Sequence, residues 1–387
     1  MTKVLISGAS IAGPTLAYWL DRHGFEVTVV ERADGFRPGG QAIDVRGSAL
    51  GVAERMGVLD DIRAHATNLR GMSIVDGEGN ELHRSEERTL SGGPLDSPDV
   101  EILRDDLSEI IVAAAGDGVE YVFGDSIASV QDGPDGVLVT FEKAAPRTFD
   151  LVVGADGVRS TTRRLVFGPD AGYTPILTTA MAVWTMPNVL DLDRWQIGCF
   201  TGADGKTGAM VMTVRNNAEL RAYAMFEHRP EAGVPRAVEE QKRLVAAELA
   251  DAAWEVPRLL EHMWDAPDFH FDALAQVHLD RWSKGRVVLL GDAGYCGSPA
   301  SGQGTSLAMV GAYVLAGELK AAGGDHEKAF AVYEDELRDW VRANQAFALR
   351  DVPPEDAADI ADWIAEGGTA MDDDFAALTN AIVLKDY

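Results

Sequence analysis

Residues 3–31, KVLISGASIAGPTLAYWLDRHGFEVTVVE, decide the fold. Lys3–Ser7 is short, apolar and stopped by Gly8, the pattern of a strand buried on both faces. Ile11–His23 then carries apolar residues at helical spacing and ends at Gly24, a residue suited to the turn that closes a helix. Glu26–Glu31 is a second, valine-rich strand. Strand, tight turn, helix and strand form a βαβ start, which implies a parallel sheet with helices on its faces. The turn itself, Gly8-Ala-Ser-Ile-Ala-Gly13, matches GxGxxG except that Ser10 stands for the middle glycine. Gly8 permits the turn, a small residue at position 10 admits a diphosphate, and Gly13 lets the helix pack against the sheet. Ile11 and Ala12 open the helix, whose positive N-terminus faces the phosphates. Glu31 follows Gly13 by 18 residues, where a ribose-binding carboxylate is expected. Such a carboxylate bonds a free ribose diol and disfavours a 2′-phosphate, so the site favours FAD or NAD over NADP.

Working outward, the 387 residues are enough for two or three domains, and 46% hydrophobic with 25% charged residues is ordinary globular composition. The 62 acidic against 34 basic residues leave a formal charge of −28, a surface that repels nucleic-acid phosphates and anionic lipid heads. Nucleic acid and membranes are therefore not expected partners. Cys199 and Cys296 cannot form a disulfide framework or a cysteine-rich metal site, and the histidines show no metal-ligand spacing, so no metal is expected. The N-terminal apolar run superficially resembles a secretory signal, but Gly8, Gly13 and Pro14 punctuate it and Asp21-Arg22-His23 follow. It reads as part of the mature fold, and a cytoplasmic location is expected.

Helices are expected at Ser48–Met56, Asp60–His65 and Asp105–Ala115. Val119–Val130 and Gly136–Lys143 alternate around a turn-forming Gln131-Asp-Gly-Pro-Asp-Gly136, as in a hairpin. Leu151–Gly154 is another buried strand. From Tyr173 to His228 strand-like runs dominate, among them Thr179–Met186, Gly208–Val214 and Ala222–Glu227, which suggests an antiparallel sheet. Arg236–Leu249 and Ala253–Trp264 return to helix, Val287–Gly291 is a third buried strand, and Ser306–Ala321 and Glu327–Leu349 are long helices. The fold class is α/β: a Rossmann-like cofactor domain (1–172 and 266–325) interwoven with a substrate domain on an antiparallel sheet (173–265), then a C-terminal helical segment (326–387).

Two further glycine-rich turns complete the set: DLVVGADGVRSTTRR (Asp150–Arg164) and RVVLLGDAGYCGSPASGQG (Arg286–Gly304). With GxGxxG, a middle DG and a late GD followed by P-x-x-G-x-G in this order, the chain resembles the FAD-dependent class A aromatic hydroxylases. These include para-hydroxybenzoate hydroxylase and the tetracycline-inactivating monooxygenases. The resemblance spans Val4 to about Leu319. It implies that Asp292, after Gly291, holds the ribityl region, and that Pro299, Gly302, Gln303 and Gly304 form the loop and helix start beside the flavin pyrimidine. Negative charge on reduced flavin would be stabilised there. It further implies contacts to FAD from Arg32 near the adenosine and Arg104 near the phosphates. Asp44 and Arg46 fall beside the isoalloxazine, where Gly39-Gly40 lets the backbone approach a flat ring. Asp156 and Arg159 inherit a role toward FAD and the visiting nicotinamide; a turn-capping role for Asp156 is the alternative. Ser306 stands where the family often has Asn. Tyr295 stands where the family often has His and cannot take a charge as His can; Arg46 and Tyr295 are the catalytic candidates. Cys296 reads as a packed residue, since no His or Lys adjoins it.

The reaction implied by the resemblance is reduction of FAD by transient NADPH or NADH, addition of O2 to give the C4a-hydroperoxide, and hydroxylation of an aromatic or polycyclic small molecule. The protein's share is placement, electrostatics and exclusion of water. No second complete nucleotide fingerprint occurs, in keeping with a visiting nicotinamide. Other FAD chemistry (a Baeyer–Villiger enzyme or dehydrogenase) and a non-redox FAD-holding cyclase or binding protein are the alternatives; a Trp-x-Trp-x-Ile-Pro element of related halogenases is absent. Trp184, Met186, Met210, Met212, Tyr223 and Phe226 are the expected substrate-pocket residues, some of which must be core because strand faces alternate. Arg215 and His228 are weaker candidates for orienting an anion. A monomer or a homodimer is equally compatible with the sequence.

Overall fold

The computed structural model describes residues 1–36, 39–169, 171–200, 207–229, 233–349 and 372–387. The first sheet runs Ser283–Lys284, Val287–Leu289, Leu151–Gly154, Lys3–Ser7, Glu26–Glu31, Val119–Phe123. All its pairs are parallel except the Ser283–Lys284 edge. Three chain segments far apart in sequence thus supply the central strands. They do so because each is a short apolar run that can be buried on both faces. Helices Ala12–Arg22 and Gly304–Ala321 pack together over this sheet. The second is buried along nearly its whole length, so it has no polar stripe.

The second sheet runs Phe269–Val277, Tyr173–Pro187, Glu219–Glu227, Gly208–Val214, Gln196–Phe200, Met72–Val75, Glu81–Ser85. It is antiparallel except where Gln196–Phe200 meets Met72–Val75. Two expected boundaries therefore shift. Residues 72–85 join the substrate sheet although they precede position 172, and Phe269–Val277 joins it although it follows 265. Long-range pairing decides these memberships, and local pattern does not carry it. Helices Val238–Glu248 and Val256–Trp264 cover one face of this sheet. The hairpin forms between Ile127–Gly133 and Gly136–Phe141, whereas Val119–Phe123, expected in the same run, pairs instead with Glu26–Glu31 as the edge of the first sheet.

A two-stranded ribbon, Ala42–Val45 with Val100–Leu103, sits between the sheets. Helix His326–Phe347 and helix Asp372–Thr379 follow the core; the tail between 350 and 371 lies outside the described residues. Cys199 and Cys296 are both buried and not bridged. Among the described residues no helix is long and apolar enough to cross a membrane, and no cluster of three metal-ligating side chains occurs.

Candidate cofactor cradle and adjoining sheet face

The Gly8 turn is built as its chemistry requires. Gly8 has φ +111°, and a side chain there would run into the Ala155 carbonyl; one at Gly13 would run into the Gly8 carbonyl. The helix beginning at Ala12 has Ile11 at its cap and no side chain bonding its first amides. Those amides are the donors a diphosphate would take. Glu31 accepts from Ala9 N and Ala33 N, each at 2.9 Å, so its carboxylate is oriented at the turn from the end of its strand. Arg32 beside it is exposed. Arg104 opens the helix Arg104–Ala115; its guanidinium donates to Gly39 O at 2.9 Å and reaches Ser10 Oγ at 3.4 Å. It therefore links the phosphate turn to the Gly39-Gly40 segment.

That segment is held from both domains. Gly39 N donates to Asp105, Gly40 N to Asp268, and the buried Arg221 donates through Nε to Gly40 O at 3.1 Å. Ala42 N donates to the Tyr223 hydroxyl at 2.9 Å. On the third turn, Gly291 packs against Ala12, which brings Asp292 close to the first helix start. Burial raises the Asp292 carboxyl above its ordinary value, with Cys296 and Arg163 opposing the shift. Pro299, Gly302 and Gly304 are exposed, whereas Gln303 is fully buried with neither end of its amide bonded within the protein. Gln41 Oε1 is likewise buried and unpartnered. A buried amide without partners is costly unless a ligand supplies them. The glycine cradle, the uncapped helix starts and these orphan amides all fit a flavin dinucleotide.

Several expected site residues are engaged within the protein. Tyr295 is core: its ring packs against Trp282, its hydroxyl lies 2.9 Å from that of Tyr333, and burial pushes it up to about 12. Asp156 uses its carboxylate on Ser160 and Thr162 at the start of the next helix, which is the turn-capping role. Arg159 pairs with Asp272 on the substrate sheet and lies over the Tyr173 ring. Cys296 is buried with its thiol pushed well up by desolvation and by Asp292, as expected of a packed, unreactive residue.

The substrate sheet has two apolar faces. Trp184, Met186 and Phe226 point away from the cradle, into the core beneath the two covering helices, and this corrects the expectation that they line a pocket. His228 is buried beside Phe226 and Phe271 with Nε2 2.8 Å from Gly233 O, and Arg215 pairs with Asp105 and Asp106, so both are engaged within the protein. Met210, Met212 and Tyr223 occupy the opposite face, in one cluster with Ala42 and Leu103 of the ribbon. Tyr223 and Met212 are buried there, while Met210, Met181 and Met225 are half-buried. Met181 and Met225 are direct cross-strand partners. The sequence reading passed over both, although the parity of Met210 on the neighbouring strand identifies their face.

Comparison with known proteins places the chain in a family. The family model described as "FAD binding domain" matches residues 1–348. A flavin-dependent monooxygenase of Legionella longbeachae is 40% identical over 348 residues, covering 90% of this chain and 88% of the relative. An uncharacterized protein of Mycobacterium tuberculosis is 49% identical over 387 residues, the full length of both. The crystal structure of tetracycline destructase Tet(51) matches the whole of both chains with a TM-score of 0.88 at 35% identity. The chain belongs to the class A FAD-dependent aromatic hydroxylase family. It is a flavoprotein monooxygenase with FAD as its cofactor.

Proposed function

We propose that the protein hydroxylates a flat aromatic or polycyclic small molecule, with NADPH or NADH as the passing electron donor and O2 as co-substrate, against the face of the substrate sheet that carries Met181, Met210 and Met225. One observation carries this reading: Met181, Met210 and Met225 are half-buried on the sheet face turned toward the cradle, where Met181 and Met225 are cross-strand partners. Thioether walls suit a broad apolar ligand because they adapt to its outline. When bound, FAD supplies the redox chemistry that passes the nicotinamide's electrons to O2.

The chain's own residues do the rest. The Gly8–Gly13 turn and its helix start hold the diphosphate, Glu31 the adenosine ribose, and Asp292 the region next to the ribityl chain. Gln303 offers a donor and an acceptor beside the uncapped start of helix Gly304–Ala321, whose dipole favours negative charge. Arg221 and Tyr223 fix the Gly40–Ala42 backbone from the substrate side, so sheet and cradle keep one spacing. The charged groups of that face are already engaged: Arg221 with Glu219, Asp272 with Arg159, and Asp268 with Thr185. This face of the sheet therefore favours neutral over ionised ligands.

The test is a screen of phenols and fused-ring compounds for stimulated O2 uptake with each nicotinamide, followed by mass analysis under isotopically labelled O2. Label in the product supports the reading. Nicotinamide oxidation that yields only hydrogen peroxide with every compound, or product carrying oxygen from water, would refute it.

A further inference from the structure

The methionines are not spread evenly over the molecule. Of the eleven in the sequence, Met371 lies outside the described residues, Met1 is 88% exposed, and Met56, Met72, Met186, Met212, Met263 and Met309 are buried. The three that remain, Met181, Met210 and Met225, are all half-buried and share one face of the substrate sheet. Strand pairing sets their places. Met181 stands opposite Met225, and Met210 stands opposite Tyr223, whose hydroxyl accepts from Ala42 N. Side chains two residues apart on a strand point the same way, so Arg221, Tyr223 and Met225 follow one another along this face. Arg221 bonds Gly40 O, so the thioethers begin one side-chain step, about 7 Å, beyond the last contact of this row with the Gly39–Ala42 segment. A thioether sulfur accepts an oxygen atom from a peroxide to give the sulfoxide, and exposure governs how readily it does so. Both cysteines are buried, so among the described residues no accessible thiol competes with the three methionines for oxygen.

We propose that Met181, Met210 and Met225 form an oxidisable wall, modified by the enzyme's own oxygen chemistry whenever no ligand stands between them and the flavin. The assignment rests on the proposed use of this face. In the step, a hydroperoxide R–O–O–H, formed when the reduced cofactor meets O2, gives its terminal oxygen to the methionine sulfur. The O–O bond breaks and an S–O bond forms from the sulfur lone pair. The proton of that oxygen passes to the leaving oxygen, which departs as R–O–H. Sulfur is oxidised by two electrons and the peroxide is reduced by two. Each event turns a flexible apolar side chain into a polar one. The wall then loses the adaptable apolar character that suits it to a broad ligand. Oxygen consumption without a ligand thereby weakens binding of the next apolar ligand.

The test uses the FAD-loaded protein with Met1 retained, photoreduced without O2 and then mixed in the dark with isotopically labelled O2 and catalase, over several cycles. Neither ligand nor nicotinamide is added. Mass spectrometry of the peptides reads the sulfoxide at each methionine. Met181, Met210 and Met225 should gain labelled oxygen about tenfold or more above Met1, because transfer at the site outruns transfer from solvent. Reagent hydrogen peroxide, added to the same protein without reduction or catalase, should reverse the order, with the far more exposed Met1 oxidised first. Met1 labelled as fast as the three after reduction, or no label on the three, would overturn the proposal. The same three-residue pattern with reagent peroxide would also overturn it, since ordinary reactivity would then account for the labelling. No substrate enters the experiment, so a screen that finds no hydroxylated product refutes the proposed reaction without deciding the labelling pattern.

Discussion

Because Asp44 is buried beside two other carboxyls, its protonation should make the enzyme's stability depend on pH in a way one substitution removes. Folded, Asp44 titrates at about 7 against an ordinary value of 3.8. The native state therefore holds a proton that the unfolded chain has lost between those values. The stabilisation is full below the ordinary value and disappears as pH rises through the folded one. Each unit of separation corresponds to 1.36 kcal/mol. Lowering the pH to about two units beneath the folded midpoint is thus worth about 2.7 kcal/mol, and at a unit above it almost nothing remains. Asparagine cannot ionise, so the wild-type advantage over Asp44→Asn should fall by about that amount from pH 5 to pH 8. Glu101 titrates in both proteins and largely cancels in the difference. Urea unfolding of the FAD-saturated proteins across this range measures it. Two stability curves that run parallel, separated by a constant, would refute the reasoning.

Other consequences are equally direct. Gly13→Ala forces a methyl group into the Gly8 carbonyl; overpacking of this kind costs about 1–3 kcal/mol, so FAD affinity measured by fluorescence quenching should drop about tenfold or more. Trp184→Ala should lower stability by about 3–5 kcal/mol because its side chain fills the core beneath the covering helices. Met225→Ala should instead change ligand affinity and coupling of nicotinamide oxidation to product, with a much smaller loss in thermal denaturation. Cys296, buried with a raised thiol, should resist alkylation in the native protein at neutral pH and react only on unfolding, as mass spectrometry of labelled peptides would show.

What the sequence made legible was the part written in backbone chemistry. A glycine turn between an apolar strand and an amphipathic helix has few other uses, and Glu31, Gly291 and Gln303 gain meaning from their offsets to such turns. The faces of the substrate sheet were harder. Both faces of Thr179–Met186 and Ala222–Glu227 are apolar, so alternation separates two sets of residues without saying which is covered. The amphipathic helices at 238–248 and 256–264 settle it by packing over Trp184, Met186 and Phe226. Local pattern also could not show that Met72–Val75 crosses into the second sheet, or that Arg159 meets Asp272 from 113 residues away. Tyr295 illustrates the limit of motif position: the offset matched, but a tyrosine ring there is absorbed by Trp282 and Tyr333. The ribbon cluster was invisible for a similar reason, since Asp44 and Glu101 face each other only after the two strands pair.

Three glycine-rich turns that hold one redox-active FAD should give the protein a flavin spectrum that answers to a nicotinamide donor. The visible spectrum of the purified protein, titrated with FAD and then followed anaerobically with NADPH and NADH, with and without candidate phenols, tests it most directly. Oxidised-flavin absorbance should saturate at one FAD per chain and be bleached by at least one donor when a ligand is present. A colourless protein that takes up no added FAD would contradict it.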